Sequence, residues 1–369
     1  MKKNSAAPRL LPAFFAALIL VMGILLAVLP RQDFSPLEKR YLAKPPALTM
    51  EGGQFSRDIE AFLGDHFPFR ANWVGLDAQR RLLSGTMAAD EVWRLKDGAL
   101  VQAPLPRDWE RLERNLALLS EFAKNAGLPL TLVCPPAAGA VSGQEGYFPW
   151  PDGEVIKRLE ESPPGTVQAA PLFEAFSRHA SPLYYRTDPH WNGEGAYLAY
   201  RQAAPLLGFD PIPASVFTVS ESPGFLGSNY SRSGLWATPP DTLAMWDAGQ
   251  NLEITFDNAP DTYASLFFPE HLEEPDQYPV FLDGNHGLSD IRNLDNPRGP
   301  VLMMLKDSFG NSLAPLLVPH YSRVIILDLR AWRQSPLRLA REAGCDQILA
   351  VYSLDSLATD ANLAWLGQE

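Results

Sequence analysis

The sequence contains few cysteines and little positive charge, which argues against a cysteine-based metal site and against a nucleic-acid-binding protein. Its 369 residues include only two cysteines, Cys134 and Cys345, and neither has a CxxC or Cys/His spacing that would indicate a metal site. Both belong to apolar runs, so we expect buried free thiols; a disulfide would require the two runs to be close neighbours. The formal net charge is −12 and no basic stripe with interleaved aromatic residues is present, which argues against a nucleic-acid partner.

Charged residues are also missing from positions 10–29, and Lys2, Lys3 and Arg9 precede this run. A membrane-spanning helix needs about twenty apolar residues, whereas the apolar core of a signal peptide has about 7–15. Because the run ends in "AVLPRQ", a poor cleavage site, we predict an uncleaved single-pass anchor in the inner (cytoplasmic) membrane. The preceding basic residues keep the N-terminus in the cytoplasm, so the bulk of the chain is expected in the periplasm. An export signal cut after Ala27 is the alternative.

The patterns along the chain divide it into four segments and predict an α/β fold. We expect a cytoplasmic tail over 1–9, the anchor over 10–29, a linker with a helical and hairpin lead-in over 30–104, and a large domain over 105–369. In the large domain, helices alternate with continuous apolar strands such as "VLMMLK" and "RVIIL". That alternation is typical of a parallel sheet with helices on both faces. The Pro-, Asp- and Gly-rich stretch from about 210 to 290 predicts irregular, insertion-like structure.

A nucleophile candidate lies in "VLMMLKDSFGN", where a predicted strand ends and a helix begins near Phe309. This places Asp307 and Ser308 at the strand-to-helix turn, and open parallel sheets gather their chemistry beyond the carboxyl ends of strands. The hydroxyl of Ser308 would point into the crevice, and amides at the helix N-terminus could stabilise an oxyanion. The alternative is simple helix capping, for which Asp and Ser are both favoured.

A base candidate lies in "YYRTDPHWNG", where Asp188 and His190 flank Pro189. We predict a strand over "PLYYRTD", and residues two apart on a strand share a face, so the carboxylate could orient the imidazole. The alternative is a loop histidine with a local aspartate. No third ligand at helical or hairpin spacing suggests a metal. Together with Ser308 the pair forms an Asp/His/Ser set, as in serine hydrolases and transferases, which need neither metal nor other cofactor.

Two blocks carry a resemblance to a known family. "YYRTDPHWNGEGAYLAY" resembles the T-D-x-H-W segment of the alginate O-acetyltransferase-like, DHHW-type proteins, and "LKDSFGNSLAPLLVPHYSRVIILDLR" is similar to their D-S-F block. Weaker similarity extends over "FSPLEKRYLAKPP", "DHFPFR", "VWRLKDGALV" and "FLGSNYSRSGL". The sequence departs from the family at Pro189, which replaces the first histidine of the name, and at Ala138, where a lysine is common.

The resemblance implies an SGNH-hydrolase-like α/β domain in permuted order, with a catalytic triad of Asp188, His190 and Ser308. It implies transfer of an acetyl group, through an acetyl-serine, onto a hydroxyl of an exported polysaccharide. It also implies that a multi-spanning membrane acyltransferase supplies the acetyl groups and that other polysaccharide-export proteins are partners.

Five further residues are candidates for substrate or oxyanion contacts. Gly227, Ser228 and Tyr230 in "FLGSNYS" could bind substrate or donate to an oxyanion, although a glycine turn is the simpler interpretation. Arg330 could clamp a carboxylate or a sugar, or form an ordinary ion pair. Trp191 could stack on a sugar ring, or be buried against the sheet.

Two other functions fit the same residues. A carbohydrate acetyl esterase would use the same triad with water in place of the sugar hydroxyl. A non-catalytic scaffold of a polysaccharide-export complex would keep the fold as a binding surface.

Overall fold

A computed structural model describes residues 7–47, 53–104, 107–142 and 152–368. The chain forms two compact units, the first consisting of Met1–Asp90 with Ser231–Trp236 and the second of Glu91–Tyr230 with Ala237–Glu369. We describe each by itself.

The first unit begins with helix α1, Ala7–Val28. Within it, Leu11–Val28 is long and apolar enough to cross a membrane, and none of this stretch is buried inside the protein. A signal sequence near an N-terminus meets the same criterion. The helix is therefore a candidate anchor, as the uncharged run predicts.

The rest of the first unit is small and mostly helical. Strands β1 (Phe34–Ser35) and β2 (Arg40–Tyr41) pair antiparallel and precede helices α2 (Gln54–Asp65) and α3 (Arg70–Leu83). Both helices lie in the segment that is expected to form a helical lead-in. They separate where Pro68 is followed by a residue with left-handed backbone, which cannot continue a helix.

The second unit opens with the hairpin that the sequence predicts, followed by a long helix. Strand β3 (Val92–Arg94) pairs antiparallel with β4 (Leu100–Gln102). Helix α4 (Trp109–Ala126) is capped by the side chain of Asp108 and ends at Gly127, whose φ of 68° suits glycine.

The remaining strands and helices complete the second unit. In chain order they are β5 (Leu130–Val133), α5 (Ala138–Val141), α6 (Asp152–Glu161), β6 (Val167–Ala169), α7 (Leu172–Ser177), α8 (Gly193–Leu207), β7 (Thr218–Phe225), α9 (Ser228–Ser233), β8 (Asp241–Asp247), β9 (Leu252–Phe256), β10 (Leu288–Asn293), β11 (Val301–Lys306), α10 (Phe309–Leu317), β12 (Arg323–Leu327), α11 (Pro336–Glu342), β13 (Gln347–Val351) and α12 (Leu354–Thr359).

A seven-stranded sheet forms the centre of the second unit, in the order β6-β5-β13-β11-β12-β10-β9. The first five strands are parallel, and β10 and β9 are antiparallel to their neighbours. Alternate residues of β11 enter separate apolar clusters, with Leu302 and Met304 in one and Met303 and Leu305 in the other. Both faces of the sheet are therefore buried, and the predicted α/β class with its largely parallel sheet is confirmed.

Two regions differ from the sequence-based picture. Over 210–290 the chain forms the antiparallel β7/β8 hairpin, and β9 and β10 extend the main sheet. The strand predicted over "PLYYRTD" is wrong, because residues 182–188 make only an isolated bridge between Tyr184 and Trp191. The two cysteines are buried and free, as expected.

Candidate active site

The candidate nucleophile lies in a tight turn between β11 and α10. The N–H of Phe309 donates to Asp307 Oδ1 at 3.0 Å, and the N–H of Asp307 donates to the carbonyl of Val351 at 2.9 Å. The hydroxyl of Ser308 makes no capping hydrogen bond to the helix. Asp307 therefore caps α10, and the Ser308 hydroxyl is left for another partner.

Asp307 also ties this turn to the start of α12. Its Oδ2 accepts hydrogen bonds from the Ser353 N–H at 2.8 Å and from the Ser356 hydroxyl at 2.7 Å, both at the start of α12. The carboxylate thus joins the ends of β11 and β13, which are neighbours in the sheet.

The Ser308 hydroxyl instead meets His190. Ser308 Oγ lies 2.7 Å from His190 Nε2, and His190 Nδ1 lies 2.5 Å from Asp188 Oδ1. Asp188 is buried, at 4% exposure, and the His190 side chain is 13% exposed. The structure brings together the three residues predicted from the sequence. His190 lies between the carboxylate of Asp188 and the hydroxyl of Ser308, as a general base in a serine enzyme requires.

Asp188 is held as a carboxylate by several donors. Its Oδ1 accepts the N–H of His190 at 3.0 Å in addition to the ring contact, and its Oδ2 accepts the N–H of Ser228 at 2.8 Å. Burial acts to raise the pKa of Asp188, but the His190 charge and these hydrogen bonds outweigh burial and lower that pKa to about 2. Asp188 is therefore ionised at neutral pH and able to stabilise an imidazolium.

An open cleft of about 340 Å³ gives solvent access to the Ser308–His190 pair. Its polar lining includes Ser308, His190, Arg107, Asp152, Ser228, Asn229, Arg330 and Asp355, and residues 135–139 form another part of the wall. The buried guanidinium of Arg107 donates to Asp355 at 2.7 Å and to Asp152 at 3.2 Å. This fixed ion network gives the cleft a rigid polar wall beside the serine.

The backbone N–H of Ser308 is available to a developing oxyanion. The N–H of Ser308 donates to no residue that the structure describes, whereas the next amide, that of Phe309, is used by Asp307. The Ser308 amide lies at the N-terminus of α10, where the helix dipole favours negative charge.

A comparison with protein families finds a match over the segment that carries the site. The family model described as DHHW protein matches from residue 166 to residue 327. Residues 166–327 match the DHHW family. This segment contains Asp188, His190 and Ser308, and the match confirms the resemblance that the two motif blocks carry. No curated protein matches the sequence.

Solved structures with a similar fold include a DHHW family protein from Eubacterium siraeum, with 20% identity, a TM-score of 0.66, and coverage of 75% of this chain and 94% of that one. Bacillus cereus PatB1 has 20% identity, a TM-score of 0.61, and coverage of 73% and 98%. The O-acetyltransferase domain of Pseudomonas putida AlgJ has 18% identity, a TM-score of 0.46, and coverage of 75% and 98%. At these identities, the likeness to the first two is one of fold.

Within the DHHW segment, the turn that carries Asp188 and His190 depends on residues that sequence reasoning missed. The carboxylate of Asp241, at the start of β8, accepts the N–H groups of Arg186 and Thr187, each at 2.8 Å. It also accepts the Thr187 hydroxyl at 2.5 Å. No spacing in the sequence connects Asp241 with this turn, so only the fold reveals the contact.

Gly227, Ser228 and Tyr230 do not supply oxyanion donors. Their N–H groups donate to Thr187 Oγ1, Asp188 Oδ2 and the Thr187 carbonyl, at 3.0, 2.8 and 3.0 Å respectively. A Cβ on Gly227 would lie 2.2 Å from the Cβ of Asp188, so only glycine fits there. These backbone amides hold the turn that carries Asp188 and His190, so they are not free to bind an oxyanion; Ser228 lines the cleft, and its contact with substrate stays a prediction.

Trp191, which directly follows His190 in the chain, is completely buried. Its Nε1–H donates to the hydroxyl of Ser312 at 2.9 Å, and its ring packs edge-on against Phe309. The prediction that Trp191 stacks on a sugar is therefore wrong, because no ligand in the cleft can reach a side chain without exposed surface.

Arg330 lies just beyond the DHHW segment, in the cleft wall. Its guanidinium binds both oxygens of Asp328, at 2.9 and 2.5 Å, while its side chain stays 44% exposed. Asp328 also lies 3.6 Å from Lys306 Nζ, and burial lowers the pKa of Lys306 to about 8. Arg330 is thus both ion-paired and accessible, so its predicted contact with substrate remains geometrically open.

Proposed function

We propose that this protein is an extracytoplasmic O-acetyltransferase that moves an acetyl group, through an acetyl-serine at Ser308, onto a hydroxyl of an exported polysaccharide. The observation that carries the proposal is the unbroken hydrogen-bonded chain from Asp188 through His190 to Ser308 at the mouth of an open cleft. The match to the DHHW family and the resemblance to alginate O-acetyltransferase-like proteins support the acetyl group as the one transferred.

In the first half-reaction, His190 Nε2 takes the proton of the Ser308 hydroxyl as Oγ attacks the acetyl carbonyl carbon of the donor. The carbonyl oxygen becomes an oxyanion, which the Ser308 N–H stabilises. The bond from that carbon to the donor oxygen or sulfur then breaks, and the leaving atom takes the proton from His190. Asp188 stabilises the imidazolium between these two proton transfers.

In the second half-reaction, a sugar hydroxyl takes the place of the departed donor. His190 removes its proton as its oxygen attacks the acetyl carbon, and the Ser308 ester bond breaks. Ser308 Oγ recovers a proton from His190, so the enzyme returns to its starting state. The steps require no metal or nucleotide.

The proposal includes the surroundings of the enzyme. Residues 10–29 would anchor a single-pass protein in the cytoplasmic membrane, with 1–9 in the cytoplasm and the catalytic domain over 105–369 in the periplasm. A multi-spanning membrane acyltransferase would deliver the acetyl group, and the protein would work beside other polysaccharide-export proteins.

The test uses the purified full chain with a chromogenic acetyl ester and an oligosaccharide. Acetate release and acetylated sugar are both followed, the second by mass spectrometry. We expect wild type to form acetylated sugar and Ser308→Ala to lose at least about a thousandfold in rate. Ser177→Ala, which removes an exposed hydroxyl on α7 that bonds only the local Phe173 carbonyl, serves as the matched control.

The two other functions predict different results in the same experiment. Acetate without acetylated sugar would indicate an esterase, because water would then be the acceptor. An unchanged rate in Ser308→Ala would contradict both the acetyltransferase and the esterase hypotheses and would favour the non-catalytic scaffold.

A further inference from the structure

Tyr278 contacts both halves of the triad, although it comes from the stretch expected to be irregular. It begins a short 3₁₀ turn, Tyr278–Val280, and its ring stacks on His190 with centroids 4.3 Å apart and planes 14° apart. Its hydroxyl lies 3.3 Å from the carbonyl oxygen of Ser308. A single side chain therefore touches the base and the backbone of the nucleophile.

A chain of hydrogen bonds continues from the Tyr278 hydroxyl. Ser312 Oγ lies 3.2 Å from Tyr278 Oη and accepts the Nε1–H of Trp191 at 2.9 Å. Burial raises the pKa of the Tyr278 hydroxyl well above its usual value, so the hydroxyl keeps its proton. The consistent assignment has Trp191 donating to Ser312, Ser312 to Tyr278, and Tyr278 to Ser308. The residue after His190 is thereby linked to the nucleophile turn.

We propose that Tyr278 is a positioning residue that fixes the plane of the His190 ring toward Ser308 and stabilises the imidazolium formed during acetyl transfer. The inference rests on the proposed function of the triad. Asp188 holds one nitrogen of the ring, which by itself leaves the ring free to rotate about that hydrogen bond. The stacked face of Tyr278 restricts this rotation and keeps Nε2 directed at Ser308 Oγ.

The electrostatic part of the argument follows from the geometry of the two rings. The face of an aromatic ring attracts a cation, and Tyr278 presents its face to His190. Phe309 also contacts His190, but at 4.8 Å and tilted by 56°. In the proposed mechanism His190 gains a positive charge when it takes the Ser308 proton, so this attraction favours the transition state. Among the described residues, Asp188 and Tyr278 are the titratable groups in direct contact with the His190 ring.

Three variants of the full chain separate the ring from the hydroxyl. Tyr278→Leu removes the aromatic face and the hydroxyl but keeps an apolar side chain, whereas Tyr278→Phe removes only the hydroxyl. Phe281→Leu is the matched control, because Phe281 is buried in the same cluster and packs on Tyr278 without a ring contact to His190. Thermal unfolding of each variant verifies that it is folded.

We expect Tyr278→Leu to lower kcat about tenfold and to move the midpoint of the acid limb of kcat/KM to lower pH by about half a unit to one unit. The sign follows because losing an attraction for the cation makes the imidazolium harder to form. Tyr278→Phe should keep the wild-type midpoint and lose only a few-fold in kcat, and Phe281→Leu should keep both. A midpoint in Tyr278→Leu equal to that of wild type would overturn the proposal. So would a shift in Tyr278→Phe as large as that in Tyr278→Leu.

A second measurement keeps the inference separate from the proposed function. The titration of His190, followed by NMR in protein with isotope-labelled histidine, needs no substrate. If wild type lacked activity, the acetyltransferase proposal would fail, and the NMR titration would still decide the role of Tyr278. A lower midpoint in Tyr278→Leu would support it, and equal midpoints would overturn it.

Discussion

The two turns that form the candidate triad are built in different ways. The nucleophile turn, Asp307 and Ser308, continues directly from β11 into α10, so regular backbone hydrogen bonds hold it on both sides. The base turn, residues 186–191, belongs to no helix or extended strand. Two carboxylates contact it. Asp241 accepts the N–H groups of Arg186 and Thr187 at its start, and Asp188 accepts the N–H of His190 near its end. One half of the site is thus fixed by secondary structure, and the other by these carboxylates together with backbone hydrogen bonds outside any strand ladder, such as that from the Tyr230 N–H to the Thr187 carbonyl.

This difference predicts where the site is fragile. Many backbone hydrogen bonds of β11 and α10 hold Ser308 in place, so the loss of one side chain should shift it little. The base turn lies outside any helix or strand ladder, and each of its two carboxylates makes three hydrogen bonds, so the loss of one carboxylate removes several contacts at once. A small displacement of His190 is costly, because a misplacement of about 1 Å can reduce a rate about a hundredfold.

Asp188→Asn is expected to have the largest effect on the base turn, lowering kcat about 10,000-fold. The amide cannot stabilise the imidazolium, and its NH₂ group can turn toward His190 and impose the wrong tautomer. Unfolding measurements should show that the variant remains folded, because an amide oxygen can still accept the backbone N–H of His190. Activity within tenfold of wild type would show that Asp188 is not the orienting group.

Gly227→Ala comes next, with an expected loss of about a hundredfold to a thousandfold. The new methyl group would lie 2.2 Å from Asp188 Cβ and 2.5 Å from its Oδ2, so Asp188 must move. Gly64→Ala is the control, because a Cβ there meets no atom within 4 Å. Kinetics of both variants with the chromogenic ester give the comparison; equal activities would mean that the Asp188 position tolerates change.

The smallest expected effects come from a matched pair of aspartates, one in each half of the site. Asp241→Asn should reduce activity about ten- to a hundredfold, because it replaces one of two oxygens that together hold Arg186 and Thr187. Asp307→Asn should lose less than about tenfold, since β11 and α10 still hold Ser308. A larger loss of activity in Asp307→Asn than in Asp241→Asn would show that the nucleophile turn is the more sensitive of the two.

The same contrast explains what could be predicted from sequence. The elements around Ser308 follow from local patterns: an apolar run for β11, capping residues at 307 and 308, and helical spacing after Phe309. The strand predicted over "PLYYRTD" does not form. Asp188 and His190 are nevertheless adjacent, because the carboxylate bonds both the backbone and the ring of His190.

Long-range partners account for the rest. Asp241 lies more than fifty residues from the base turn, and Tyr278 is 30 residues from Ser308. Neither belongs to a motif or a periodic pattern that would have drawn attention to it. The burial of Trp191 depends on its contacts with Ser312 and Phe309 of α10, which no local pattern in the sequence specifies.

The most direct test of the central claim is detection of the acetyl-enzyme. The full chain is incubated with the acetyl ester in the absence of sugar and quenched with acid, and the peptide containing Ser308 is analysed by mass spectrometry. Our account predicts one added acetyl group on Ser308, its absence in Ser308→Ala, and its disappearance, with formation of acetylated sugar, when the oligosaccharide is added. Acetylated sugar produced at an undiminished rate by Ser308→Ala, with no acetyl group on Ser308 in wild type, would contradict it.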